Sequence, residues 1–269
     1  MKNSMNIQSD GKLKKEGKRI ETVGEELKRI AESAGLGVDY LNICVCALEC
    51  LEETLGTEYN FPIDIEEIVE CMGINIAYQQ LNSLERQEVC SHTIAGKIMK
   101  KRNLFTQEND TVILIDTNSG GYEQRYALAY ELANFLIHKN DERYNSEYRV
   151  MPMLFKKKEE MIADIFAIFL LIPLPIFLEE FDRYIGEEGV PVSTSRWLEY
   201  LSNIAEVPYE EVAIGYQNIR YVSSFFYDKI QGKEPDINLN PEIRDIYERQ
   251  SNKIASILQD EDRITKLFN

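Results

Sequence analysis

The chain has 269 residues, enough for one large domain or two modest ones, and its 46 acidic against 30 basic side chains leave a net charge of −16. Such an excess of acid disfavours general binding to DNA or RNA, where counterion release rewards clustered Lys and Arg. With 44% hydrophobic residues, 15 Tyr and 11 Phe, the composition is that of a packed protein, and only two histidines, His92 and His138, are present for any multi-histidine metal site.

The first twenty residues are polar and basic, with Lys2, Lys12, Lys14, Lys15, Lys18 and Arg19, and no apolar run follows that could serve as a signal-peptide core. A mobile start and a cytoplasmic location are expected. A helix is predicted over 21–32, broken by Gly35 and Gly37, and then a helix over 41–55 carrying Cys44, Cys46 and Cys50. With Cys71 and Cys90 the cysteines are odd in number, which suits reduced thiols better than a disulfide framework. The three in the helix read as small hydrophobes, because their spacing lacks a second pair of metal ligands.

The stretch from Phe61 to Gly73 reads as a capped helix: Asp64 caps, Glu67 stands three residues on, Ile65, Ile68, Val69 and Met72 form one face, and Gly73 is the stop. The period then changes to two, with strands predicted at 74–78, 93–99 and 111–116. Asn118-Ser119-Gly120-Gly121 opens a helix over 122–138 that is apolar on nearly every side, which marks it as central. A polar loop over 139–158 leads to a second buried helix over 159–171, ended by Pro173. The apolar run from Met161 to Leu178 has nearly the length of a membrane span, but Asp164, Pro173 and Pro175 make it a buried helix broken near Ile172. An acidic connection from Glu179 to Gly189 precedes a helix with Trp197, Leu198 and Leu201, a break at Val207-Pro208, a helix over 211–221, and a last amphipathic helix from Pro241. The pair around Val207-Pro208 has the outline of a helix-turn-helix, yet Glu199, Glu206, Glu210 and Glu211 oppose groove entry, so it reads as packing. Lys156, Lys157 and Lys158 form a basic run that reads as a solvated face.

Two of these helices carry motifs. Arg125-Tyr126-Ala127-Leu128-Ala129-Tyr130-Glu131-Leu132-Ala133-Asn134-Phe135-Leu136-Ile137-His138 resembles the active-site helix of the ImmA/IrrE family of metallopeptidases, which reads like R-F-x-L-A-H-E-L-G-H-x-L-L-H. Glu160 to Pro173, with Ala163, Asp164, Phe166 and Ala167, is similar to the family's second helix, E-x-x-A-N-x-F-A-x-x-L-L-x-P. The resemblance covers roughly residues 60–180 and, more weakly, the helices to about 220.

In an H-E-x-x-H helix the two histidines fall at i and i+4 and share one zinc, while the intervening Glu activates the metal-bound water. The resemblance implies that the two histidine positions are Tyr130 and Asn134, that the general-base position is Glu131, and that the third, acidic ligand position is Glu160. A phenol and a neutral amide are poor replacements for two imidazoles on zinc. His138 lies eight residues after Tyr130, about 12 Å along a helix axis, too far to complete such a site. His92 precedes a strand and is not tied to the motif. Glu131 inside an apolar helix needs an Arg, a hydrogen bond from Tyr130 or Asn134, or a proton. Asp164 with Glu160 and Glu131 outlines a second, weaker option, a hard cation such as Mg²⁺ or Ca²⁺.

The expected fold is α+β: a small mixed or antiparallel sheet of about three strands packed on a buried zincin-like helix pair, with helical extensions at both ends. The expected division is an N-terminal helical extension over 1–58, the metallopeptidase-type domain over 59–180 and a C-terminal helical region over 181–269. The expected function is that of a pseudoenzyme with a degenerate H-E-x-x-H motif, holding no metal or other cofactor and regulating by binding a protein or peptide. The resemblance implies a bacterial or mobile-element setting and a helix-turn-helix repressor, a sister protease or a peptide as partner; the acidic charge and the broken apolar run lead to the expectation that neither nucleic acid nor membrane is contacted directly. The alternative is a zinc-dependent endopeptidase with nonstandard ligands that cleaves such a repressor.

Overall fold

The computed structural model describes residues 5–33, 39–81, 94–102, 109–139, 146–149, 157–188, 193–230 and 241–257. Cys90, His92, Lys156 and the glycines Gly35 and Gly37 lie outside them. Helix α1 spans Met5–Glu32, so the polar start is helical well before the predicted residue 21. Helix α2 (Tyr40–Leu55) is capped by Asp39, whose carboxylate accepts from the Asn42 N–H at 3.1 Å. Its cysteines Cys44, Cys46 and Cys50 are buried and free, and burial pushes their thiols up, which makes them inert packing groups.

Helix α3 (Ile65–Cys71) forms as its sequence dictates. The Asp64 side chain accepts from the Glu67 N–H at 3.0 Å, Ile65, Ile68 and Val69 are buried, and Gly73 takes a φ of +71° that an L side chain rarely adopts. Strands β1 (Asn75–Gln79), β2 (Ile94–Arg102) and β3 (Asn109–Asp116) follow, then α4 (Gly121–Ile137) and β4 (Ser146–Arg149). The sheet order is β1-β3-β2-β4. β1 runs parallel to β3 with Ile76 opposite Ile113, while β2 is antiparallel to β3 and β4 antiparallel to β2. The alternation of side chains sends Ile98, Ile113 and Ile115 into the main core, and Leu114 with Leu81 into a small cluster on the other face.

Among the described residues the sheet has four strands, the three expected and β4 in addition. β4 falls inside the segment expected to be a loop; Ser-Glu-Tyr-Arg carries no apolar alternation, and pairing with β2, some fifty residues away, is what makes it a strand.

Helix α5 (Lys158–Leu171) is buried from Ile162 onward and crosses α4; Pro173 ends it. The Glu179–Gly189 connection is overturned, because α6 (Leu174–Glu188) runs through it. A proline in the first turn starts a helix as readily as it ends the one before, and Phe177, Phe181 and Tyr184 recur at helical spacing on a buried face. That face meets α7 (Thr194–Ala205) at Trp197, whose ring lies 5.6 Å from Phe177, 5.2 Å from Phe181 and 5.3 Å from Tyr184. After Glu206, at a left-handed φ of 55°, α8 (Tyr209–Ile230) returns along α7 and touches α5. α9 (Pro241–Ile257) packs on α2, α6, α8 and α1. One core contains side chains from α1 and α2 together with those of the sheet and of α4 to α9.

Among the described residues no single helix is long and apolar enough to cross a membrane. The bent pair α5–α6, turned by 56° at the break expected near Ile172, has the necessary length and composition, and its apolar residues lie inside the core.

Candidate functional site

The start of α4 is fixed by its own loop. The Gly120 N–H donates to the Glu123 carboxylate at 3.0 Å, and the Gln124 amide donates to the carbonyls of Asp116 and Ser119, each at 3.0 Å, which ties the helix to the end of β3. Arg125, first residue of the motif, donates to the Ile63 carbonyl at 2.8 Å and stands 3.6 Å from the Glu206 carboxylate. It thereby joins the α3 entry and the α7–α8 turn to α4; burial lowers its pKa, and the acids Glu206, Asp64 and Glu66 oppose that. Underneath, β2 approaches α4 closely at Gly96, where a Cβ would stand 3.0 Å from Ala127 Cβ and 3.4 Å from Glu131 Cγ.

Four residues apart along α4, Tyr126, Tyr130, Asn134 and His138 lie on the side that faces α5. The Tyr126 hydroxyl donates to Asp164 Oδ1 at 3.2 Å. Tyr130 is 4% exposed, Asn134 1% and Glu131 0%. Burial pushes the Tyr130 phenol up, the negative charges of Asp164, Glu131 and Glu160 push in the same direction, and Asn134, within hydrogen-bonding range, pulls it back. Tyr130 thus feels the charges of Glu131 on its own helix and of Glu160 and Asp164 on α5. Tyr126, which sequence reasoning passed over, belongs to the same cluster; its position four residues before Tyr130 was the available signal.

Glu160 has a second task. Its Oε2 accepts from the Lys157 N–H at 2.8 Å, which closes the N-terminus of α5. His138 stands at the end of α4, its N–H donating to the Asn134 carbonyl at 3.0 Å and its Nε2 3.8 Å from the Glu159 carboxylate, so its local contacts are those of a helix end. Lys158 of the basic run donates to the Ser33 carbonyl at 3.0 Å, which bridges α5 to α1.

Zinc prefers imidazole, thiolate and carboxylate, about 2 Å away and in tetrahedral arrangement. At the three positions where the family has its metal ligands, the α4–α5 seam offers a neutral phenol, a neutral amide and one carboxylate already engaged in a helix cap. That donor set does not fit zinc. Among the described residues, no group of three or more His, Cys, Asp or Glu is arranged to hold a metal ion.

A four-stranded mixed sheet laid against the buried helix α4, which packs on α5, makes this an α+β protein of zincin-like, metallopeptidase-type fold. Residues 69–215, more than half of the chain, match the family described as Peptidase_M78, the IrrE N-terminal-like domain, and the chain belongs to that family. The matched span runs from the end of α3 into α8, beyond the two motif helices. No curated protein matches the chain.

Proposed function

We propose that this chain is a non-catalytic member of the family that acts by binding a protein or peptide partner in a bacterial cytoplasm or a mobile-element setting. A helix-turn-helix repressor is the partner that family resemblance favours. The observation that carries the reading is the donor set: Tyr130 and Asn134 occupy the two positions where the family motif has histidine, and Glu160 serves as a helix cap. Glu131, at the general-base position, is then a buried acid of the α4–α5 seam with no metal-bound water to activate. The net charge of −16 supports action through a protein and not through DNA.

Metal analysis of protein purified without a chelating column tests the reading. Zinc well below one equivalent is expected. Near-stoichiometric zinc that disappears in Glu160→Ala and Tyr130→Phe would establish the peptidase alternative. In the converse experiment, Tyr130→His with Asn134→His creates zinc affinity if these are the histidine positions; no gain in a folded double variant overturns the equivalence.

A further inference from the structure

The contact between α9 and α2 is built from a row of acids. Glu49 has a side chain with no exposure at all, and Glu52 and Glu53 flank it with side chains 10% and 6% exposed. Arg249 of α9 pairs with Glu49 and stands 3.9 Å from Glu52; Lys253, one helical turn further, is 3.6 Å from Glu52 and sits over the Tyr59 ring at 5.8 Å. From the other side Arg19 of α1 pairs with Glu53 and reaches Glu49 at 3.7 Å. On either side of the two cations, the apolar contacts of α9 are Ile246, Tyr247 and Ile254, with Tyr247 stacked on Phe226 at 6.0 Å.

Two features separate this helix from an ordinary core element. Covering Glu49 without a cation would leave a buried carboxylate short of its main partner, so whatever fills the groove must bring cations at i and i+4. Yet α9 fits imperfectly, since Gln250 is 1% exposed and neither its amide nitrogen nor its amide oxygen has a hydrogen-bond partner. An imperfect ligand suffices when it is tethered, because the chain holds it at high effective concentration.

We infer that the groove on α2, α6 and α8 is a docking surface for a cationic amphipathic helix, and that α9 fills it in cis as a stand-in for such a partner. A competing helix would carry two cations four residues apart with an apolar residue where α9 has Gln250. The acidity of the whole chain favours its approach. This inference is independent of what the α4–α5 seam does.

Amide hydrogen exchange on the full chain reads it. Gln250→Leu raises protection of α9 about tenfold, because a buried amide without partners is removed. Arg249→Gln with Lys253→Gln lowers protection of α9 by tenfold or more and leaves α4 and α5 unchanged. A labelled peptide of residues 241–257 carrying Gln250→Leu then binds the Arg249→Gln, Lys253→Gln protein and binds the wild type at least tenfold more weakly. Loss of protection in α9 and α5 together, a fall in protection with Gln250→Leu, or equal or absent peptide binding in the two proteins overturns the inference. A dimer in which two copies exchange α9 assigns the groove to a second copy and overturns it as well.

Discussion

Two of the helix contacts among the described residues bury acids and hold them by different means. Along α2, Glu49, Glu52 and Glu53 face Arg19, Arg249 and Lys253, cations delivered by α1 and α9. Across the α4–α5 seam, Asp164 receives the Tyr126 hydroxyl, while at the edge of the seam Glu160 receives the Lys157 N–H of its own helix, both neutral donors. A buried acid held by cations accepts any helix that brings the same charge pattern, whereas a hydroxyl donating to a carboxylate inside a packed seam fixes one geometry. The seam therefore behaves as a closed core, and the α2–α9 contact as a surface that another helix can occupy.

The seam is broken most severely from below. Gly96→Leu puts a side chain where only 3.0 Å separates its Cβ from Ala127 Cβ, and it is expected to cost about 2–3 kcal/mol in equilibrium urea unfolding. A cost under half of that would mean that β2 and α4 can part without loss, and the seam would not be a closed core. On the ionic side, Arg249→Leu alone leaves Glu49 with only Arg19, 3.7 Å away, and is expected to cost ~2–3 kcal/mol, while Glu49→Leu with Arg249→Leu returns to within about 1 kcal/mol of wild type. If the double variant is as unstable as the single one, the contact depends on packing and the contrast with the seam disappears.

Smaller effects sharpen the same contrast. Tyr126→Phe removes one neutral hydrogen bond to Asp164 and is expected to cost roughly 1 kcal/mol, with no dependence on added salt. Burial raises the Glu49 carboxyl above its ordinary 4.5, and Arg249 and Arg19 counter this in part. A carboxyl with a raised folded pKa holds its proton more tightly in the folded chain, so its contribution to stability is present at low pH and is lost as pH rises through the folded value. The stability of wild type relative to Glu49→Gln is therefore expected to fall as pH rises above 4.5, measured by urea midpoints across the acid range. A flat difference would mean that the cations cancel the effect of burial.

Much of the fold was legible because local rules and the final packing agree. Asp64, Glu67 and Gly73 bound α3, the period-two runs became β1 to β3, and Pro173 ended α5 where expected. The misses share a cause. β4 has a polar sequence and is a strand only through β2, and α6 was hidden because Pro173 and Pro175 looked like a terminator while the acids Glu179 and Glu180 looked like a loop. In space, Phe177, Phe181 and Tyr184 close around Trp197, and that contact decides the helix. For the site, the motif spacing pointed to Tyr130, Asn134, Glu131 and Glu160, but not to Tyr126, nor to the capping role of Glu160.

By itself the sequence determined the family resemblance, the two central helices and the chemical mismatch with zinc, because residue identities at i and i+4 settle which donors a helix can present. Tertiary structure alone decided the rest. It set Tyr130 among three acids from two helices, and it brought Arg249 to Glu49 across two hundred positions of chain. No local pattern encodes such a pairing; only the closing of the core around α2 puts the cation of α9 against a carboxylate that has left the solvent.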